Sequence, residues 1–540
     1  MSKTLKALLV MIVLLLVFSC VVIAIKVNTR EDANIHYEFD NNLAGYAEGT
    51  LTLDSDTDGQ YGLYWADDSA QLSGYYPITT MFVQANSSES FEFGYHTAIP
   101  AGASRVIAKN SSSEVVAEFN IPARKRLDSS DLKYKFNSYS DIHIDKNGFY
   151  VNADKHWREA LKYAVDTEAD FIVTSGDTVT NAAGPDGEWD TYERIIAESD
   201  YVNPIWECNG NHDVRCGVES GLKSFIRASG ADSTIEGYDA GKPYYYMTEK
   251  NTGDIFIFMA LEKDVTLQKC DEFSDEQMEW VSNLISRYYG TGVNIYIVEH
   301  SPIEGFGAGD RMGKPYYKDY LSEKYINTVK FKSLLQKYPK LIWMSGHSHE
   351  DFSMGYNFSD ENGTACSMIH NPAVAGSTWA SETDTSLGYN EGRGYSSQGY
   401  TVEVYNNQVV YYGANLSNEL IYPAYCYIMD GARGTSPDAT QENVYQKGDV
   451  ACVQLSKTGR ISKLSANGKS AAKKATGAYL DEAKSCLDAY YSFASYDQYQ
   501  NLKKLCRSNA SAAELDTAIA GLKEIAEHIG KPYVIRKSCQ

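Results

Sequence analysis

Phe171-Ile172-Val173-Thr174-Ser175-Gly176-Asp177 decides how this chain is read. An apolar and β-branched run stops abruptly at a glycine and an acid, the pattern of a strand buried on both faces and ending at its C-terminal tip. In open α/β sheets ligands bind at that tip. A carboxylate there has a rigid base and an exposed head, which makes Asp177 the candidate bridge between two metal ions. Four other segments stop in the same way. Ser140-Asp141-Ile142-His143 follows the strand-like Tyr134 to Tyr139, and Asn209-Gly210-Asn211-His212-Asp213 follows Pro204-Ile205-Trp206. Ile295 to Val298 runs into Glu299-His300, and Leu341 to Ser345 runs into Gly346-His347-Ser348-His349. Two imidazoles at i and i+2 after a strand point to one side. The donors are carboxylate, imidazole and amide, with no evident thiolate. Such a set suits Mn, Fe, Zn or Co rather than calcium.

The series D-x-H, G-D, G-N-H-D, H, G-H-x-H resembles the calcineurin-like metallophosphoesterase family, over roughly residues 134–415. One motif alone is a weak signal; five in the family's order, each ending a predicted strand, are a strong one. The resemblance implies an α/β fold, a four-layer α/β/β/α sandwich, and two divalent metal ions (Mn, Fe or Zn). Carried over position by position, Asp141, His143, Asp177 and His349 would hold the first ion. Asp177, Asn211, His300 and His347 would hold the second. A hydroxide bridging the two would attack phosphorus in line. His212 takes the place of the family's non-ligand histidine, which stabilises the transition state or protonates the leaving oxygen. Asp213 is expected to orient His212. His36, His96, His156 and His370 match no motif and are read as structural.

Two departures narrow the expected chemistry. The first motif is D-x-H rather than the D-x-G of purple acid phosphatases, and Gly176-Asp177-Thr178-Val179-Thr180 has no tyrosine at its fifth place. The iron-tyrosinate chemistry of that subgroup is therefore not expected. The C-terminal region is short and helical, unlike the large nucleotide-gripping domain of periplasmic 5′-nucleotidases. The insert Gly305 to Tyr325, with Arg311, Lys314, Tyr316, Tyr317 and Lys318, follows His300 and is expected to form one wall of the pocket. Trp379 to Tyr395, with Arg393, is a second candidate wall. Arg311 and Arg393 are the candidate substrate contacts.

At 540 residues, two to four domains are expected. The 43% hydrophobic content is ample for their cores. A net charge of −22 makes nucleic acid an improbable partner, because phosphate backbones call for a basic face. Tyrosine, at 42 residues, fits β-rich half-exposed surfaces. At the N-terminus Lys3 and Lys6 precede an uncharged run of 19 residues, Ala7 to Ile25. That length is about enough to span a bilayer, and the flanking charge predicts export of the rest. Residues 1–26 are thus expected to be a signal anchor or a cleaved signal peptide; Val17-Phe18-Ser19-Cys20 also resembles a lipoprotein cleavage site. Each alternative places the protein outside the cytoplasm, membrane-anchored at the cell surface or secreted. The ten cysteines are scattered rather than in zinc-ribbon spacing. Cys208 and Cys216 flank the Asn211-His212 loop, where a bridge would brace it. Asn86, Asn110, Asn357, Asn362, Asn415 and Asn509 each open an N-x-S/T triplet.

From about residue 35 to 125 short alternating runs, such as Tyr61 to Trp65 and Val115 to Phe119, predict a small β-sandwich. Its placement is similar to that of the fibronectin-like domain preceding some phosphatases. Residues 121–133 would be the linker. Helices are expected over Asn152 to Thr167, over Met278 to Tyr289 behind a Ser274–Gln277 capping box, and over Thr328 to Tyr338 before Pro339. Tyr400 to Tyr405 and Gln408 to Tyr412, separated by Asn406-Asn407, predict a tight hairpin closing the domain. Residues 471–530 read as a three-helix module that resembles those appended to bacterial cell-surface proteins, with a possible cell-surface ligand.

The expected function is an exported dinuclear-metal phosphohydrolase that cleaves phosphomonoester or phosphodiester bonds of a small substrate. The alternative is a cell-surface binding protein in which the phosphoesterase core is only a scaffold. That alternative predicts missing ligands, and none is missing.

Overall fold

The computed structural model describes residues 33–432 apart from 147, 149, 151, 182–187, 215–220, 226–241, 263–272, 310–320, 353–354 and 377–396, together with 451–453 and 533–534. The expected anchor (1–26), the three-helix module (471–530), Cys216, Arg311 and Arg393 lie outside the described residues. Among the described residues no helix is long and apolar enough to cross a membrane.

Seven short strands come first, and alternation is clearest in the second. These are β1 (Ala33–Phe39), β2 (Gly49–Ser55), β3 (Gly59–Ala66), β4 (Thr79–Val83), β5 (Ser87–Phe93), β6 (Arg105–Lys109) and β7 (Val115–Asn120). In β2 every second residue is buried, so one face is committed to a core. The strands form two antiparallel sheets, β1-β2-β5 and β4-β3-β6-β7. Leu51 and Leu53 of one sheet meet Leu63, Trp65 and Val106 of the other in a single apolar cluster.

The apolar runs that end in the ligand motifs become strands β8 (Tyr134–Tyr139), β9 (Phe171–Thr174), β10 (Ile205–Glu207), β13 (Ile295–Val298) and β14 (Leu341–Ser345) of two further sheets, in which β11 (Tyr245–Thr248) and β12 (Ile255–Phe258) take part as well. The set is completed by β15 (Phe358–Ser359), β16 (Ser367–His370), β17 (Gln398–Val404), β18 (Gln408–Asn415) and β19 (Leu420–Asp430). One sheet has the order β10-β9-β8-β17-β18-β19, the other β11-β12-β13-β14-β16-β15. β8, β9 and β10 run parallel, as do β12, β13, β14 and β16. All residues of β9, β13 and β14 are buried, as a doubly covered sheet requires.

Between the sheets lies an aromatic core. Phe136 of the first sheet meets Phe256 of the second edge-on, with ring centroids 5.3 Å apart at 88°. Tyr296, Val402 and Tyr411 join the same cluster. The helices Ala153–Asp166 and Glu188–Ala197 cover the outer face of the first sheet through Trp157, Leu161, Tyr192 and Ile195. The helices Asp275–Tyr288 and Ile326–Lys337 cover the second through Val281, Ile285, Phe331 and Leu335. The layers are therefore α/β/β/α. Each such buried side chain stabilises the stack by about 1.5–3 kcal/mol.

Local details follow the expected chemistry with instructive exceptions. The Ser274 hydroxyl accepts from the Gln277 backbone N–H at 3.1 Å. Gln277 does not complete a capping box; its amide reaches the Ala260 carbonyl and the Glu262 carboxylate instead. β17 and β18 form the expected hairpin, paired from Val404↔Val409 outward. The sheet does not end there, because β19 pairs with β18 and carries it to Asp430.

Candidate metal centre

Every ligand motif follows the C-terminal end of β8, β9, β10, β13 or β14, and the one after β10 opens the short helix Asn211–Val214. Parallel pairing brings those ends to one edge of the stacked sheets. The turns are then stitched together by backbone bonds. Asp141 N–H donates to the Gly176 carbonyl (2.9 Å), His143 N–H to Asp177 (3.0 Å) and Gly346 N–H to His300 (2.8 Å). Five candidate ligands stand in the left-handed region: Asp141 (φ 52°), His143 (49°), Asp177 (54°), His347 (73°) and His349 (51°). Asp and His tolerate this region better than most residues, yet each instance costs on the order of 1–3 kcal/mol and marks functional sites. Two glycines make the close approach possible. A Cβ on Gly210 would lie 2.2 Å from Asp177 Oδ1, and one on Gly346 1.8 Å from Ser140 Oγ.

The side chains converge as two clusters. Asp141, His143, Asp177 and His349 form one; Asp177, His300 and His347 form the other, and within each the donor atoms lie within 4.8 Å of one another. In the first, His349 Nε2 is 2.9 Å from both Asp141 Oδ1 and His143 Nε2. In the second, Asn211 Oδ1 is 3.2 Å from His300 Nε2 and 3.0 Å from His347 Nδ1. Asp177 divides its labour. Its Oδ1 accepts from the His212 backbone N–H at 2.8 Å, while Oδ2 lies 3.6 Å from His143 Nε2 and 3.3 Å from His300 Nε2. All but His347 are buried, and His347 is half-buried.

A family model described as calcineurin-like phosphoesterase matches residues 135–351. The match spans the five motifs just placed at one sheet edge. Residues 135–351 are a calcineurin-like phosphoesterase domain. The chain is accordingly a metal-dependent phosphoester hydrolase. Among solved structures it is similar to a dimetal phosphatase from Danio rerio, at 13% identity, over 53% of this chain and 97% of that one, with a TM-score of 0.38. It is also similar to the purple acid phosphatase PPD1 from yellow lupin (Lupinus luteus) seeds, at 11% identity, over 75% of this chain and 74% of that one, with a TM-score of 0.39. The assignment rests on the family model and the ligand geometry, not on these likenesses. No curated protein matches the chain significantly.

The phosphoesterase donor set fits divalent metal. Asp141 Oδ1 is buried, and the imidazole nitrogen 2.9 Å away, on His349, is not placed to satisfy it with a well-formed hydrogen bond. Two imidazole nitrogens face each other at 2.9 Å beside it. Burial would raise the Asp177 pKa, but the charges of His300 and His212 outweigh it and hold the carboxyl well below its usual range. Burial likewise opposes ionisation of Asp141, and His349 and His143 overcome it. Burial holds His143 and His347 neutral, with pKa values lowered to about 3. For His300 burial is outweighed by Asp177, and its pKa rises to about 10. Lone pairs and negative charge thus converge where a cation belongs.

The surrounding groups correct two expectations. Asp213 does not touch His212. Its oxygens accept from the Val179 and Gly210 backbone N–H groups at 3.0 and 2.8 Å. It is the Thr180 carbonyl that holds His212 Nδ1, at 3.0 Å. Asp213 instead ties the Asp177 turn to the Asn211 turn. Cys208 is a free, buried thiol directed at the Met259 carbonyl (3.0 Å), so no bridge braces the loop. Three supports escaped the sequence reading. The Ser175 carbonyl accepts from His300 Nδ1 at 2.7 Å, leaving Nε2 for metal. Asn371 links the sheets beneath, donating to Ser175 Oγ (2.9 Å) and accepting from Ser138 Oγ (2.8 Å). His370 is buried with Nε2 2.9 Å from Ser348 Oγ, fixing the His347–His349 turn from behind.

Proposed function

We propose that the protein hydrolyses small phosphomonoesters or phosphodiesters with two divalent ions of the Mn, Fe or Zn type. The observation that carries this reading is the sharing of Asp177 by two donor clusters. Asp141, His143, Asp177 and His349 would hold one ion; Asp177, Asn211, His300 and His347 the other. When bound, such a pair supplies Lewis acidity toward the phosphoryl oxygens and an activated water as nucleophile. The chain's own groups do the rest. Asp177 presents Oδ2 to both clusters because the His212 backbone N–H occupies Oδ1. His212 is half-buried, and its Nδ1 proton is fixed on the Thr180 carbonyl. Its Nε2 is then the nitrogen that exchanges a proton with the leaving oxygen. Arg311 and Arg393 are proposed to meet a second group of the substrate.

The same proposal places the enzyme outside the cytoplasm, anchored or secreted through residues 1–26. Residues 35–125 act as a fibronectin-like β-sandwich, and 471–530 as a helical module that meets a cell-surface ligand. The scaffold alternative has no observation in its favour, since every ligand position is filled. The test is turnover of p-nitrophenyl phosphate and bis-p-nitrophenyl phosphate by residues 35–540 with added Mn²⁺. Turnover that chelation removes, and that Asp177→Asn abolishes, is expected. Absence of turnover with any divalent metal, or an Asp177→Asn variant as active as the parent, would contradict the proposal.

A further inference from the structure

The two clusters are held by different means. In the second, the His300 ring is tethered by a 2.7 Å hydrogen bond from Nδ1 to the Ser175 carbonyl. In the first, His143 Nδ1 meets Thr180 Oγ1 at 3.5 Å, the outer limit of a hydrogen bond. The His349 Nδ1 has no hydrogen-bond partner among the described residues. What these two rings share is Tyr150. Its ring stacks on His143 with centroids 4.1 Å apart and planes at 8°, and lies 5.9 Å from His349 at 45°. Such contacts orient an aromatic ring at a cost paid by neither metal nor solvent.

Tyr150 is itself fixed. Its backbone N–H donates to Asp145 Oδ2 at 2.9 Å, and its carbonyl accepts from Ala153 N–H at 3.1 Å, at the start of the helix Ala153–Asp166. Its side chain is 4% exposed and packs with Ala153 and Ala375. The Ala375 N–H donates to the Asp141 carbonyl at 3.0 Å. One aromatic ring thus touches two first-cluster imidazoles directly and leans on the residue that holds the third ligand. No ring contact joins it to His300 or His347 among the described residues.

We infer that Tyr150 is a positioning residue for the first metal alone, its ring reinforcing the long tether of His143 and standing in for the one that His349 Nδ1 lacks. The inference rests on the dinuclear reading. The orienting surface is the ring face, so this role requires the ring rather than the hydroxyl.

Metal-free residues 35–540 titrated calorimetrically with Mn²⁺, and with Co²⁺ followed by its visible absorption, test this. The parent and Tyr150→Phe should each take up two ions with the same affinities. Tyr150→Leu should lose about ten-fold or more in affinity for one ion and keep the other, as loss of a ligand's support does elsewhere. Its Co²⁺ spectrum should change for one ion only, and excess metal should restore turnover. Unaltered binding of both ions by Tyr150→Leu, or equal weakening of both, would overturn the inference. So would a Tyr150→Phe variant as defective as Tyr150→Leu. If Tyr150→Leu does not fold, Tyr150→Phe and Tyr150→Trp must still bind both ions as the parent does, and failure of both overturns it. A parent that takes up no metal would overturn the dinuclear reading itself.

Discussion

His212 shows how much one side chain's function depends on which nitrogen is held. With Nδ1 on the Thr180 carbonyl, only Nε2 is left to move a proton. His212→Asn should lower kcat by about 10²–10⁴-fold while both ions still bind, measured by steady-state kinetics and metal content together. A loss of metal in parallel with activity would make His212 a ligand instead. At this scale the sequence was legible where polarity broke an apolar run. All seven expected ligands meet in the structure, because a histidine or acid at a strand tip has no core to fill. It was not legible where the signal was geometric. Asp213 faces back onto its own turn, as acids at the first turn of a helix commonly do, and no spacing reveals that direction. Tyr150 stood among 42 tyrosines and carried no mark of its own.

The elements below the site are as consequential as the turns. Strand β10 ends at Glu207, 2% exposed, whose carboxyl accepts from the Tyr192 hydroxyl at 2.6 Å. Burial pushes its pKa up to about 7. The unfolded chain releases that proton near pH 4.3, whereas the fold keeps it to about 7. Between those values the folded state binds more protons, so stability is fullest below the lower one and falls as pH rises through the higher. The loss is on the order of 3 kcal/mol. Glu207→Gln should flatten the fall in thermal midpoint of the metal-free protein between pH 5 and 8; an unchanged slope would assign the titration elsewhere. The strands and helices that were expected are of the expected type. Tyr134 to Tyr139 is a strand over its predicted length, and the helix expected over Thr328 to Tyr338 runs from Ile326 to Lys337. β19 was missed because Leu420 to Asp430 contains a proline and follows no simple period, both tolerated at a sheet edge.

At the scale of the whole molecule, the N-terminal sheets are not a loose appendage. Ala98 N–H donates to the Cys426 carbonyl and Ile428 N–H to the His96 carbonyl, both at 2.9 Å, while Tyr76 and Gly74 pair with Ile421. They extend the edge at β19, and Tyr46 and Ala98 bury Tyr412, Cys426 and Ile428. No motif announced this docking, since its partners are backbone groups and ordinary apolar side chains. Removing residues 1–125 should therefore leave an open strand edge beside an apolar patch, and the remaining chain should aggregate on size-exclusion chromatography where residues 35–540 stay monodisperse. A soluble, monodisperse truncation would show the docking to be dispensable. What the entire architecture serves is the meeting of five turns around Asp177. The most direct measurement is metal stoichiometry after loading with Mn²⁺ and desalting, for the parent, His143→Ala and Asp177→Ala. Two ions per chain, then one, then none are predicted; two ions retained by Asp177→Ala would contradict it.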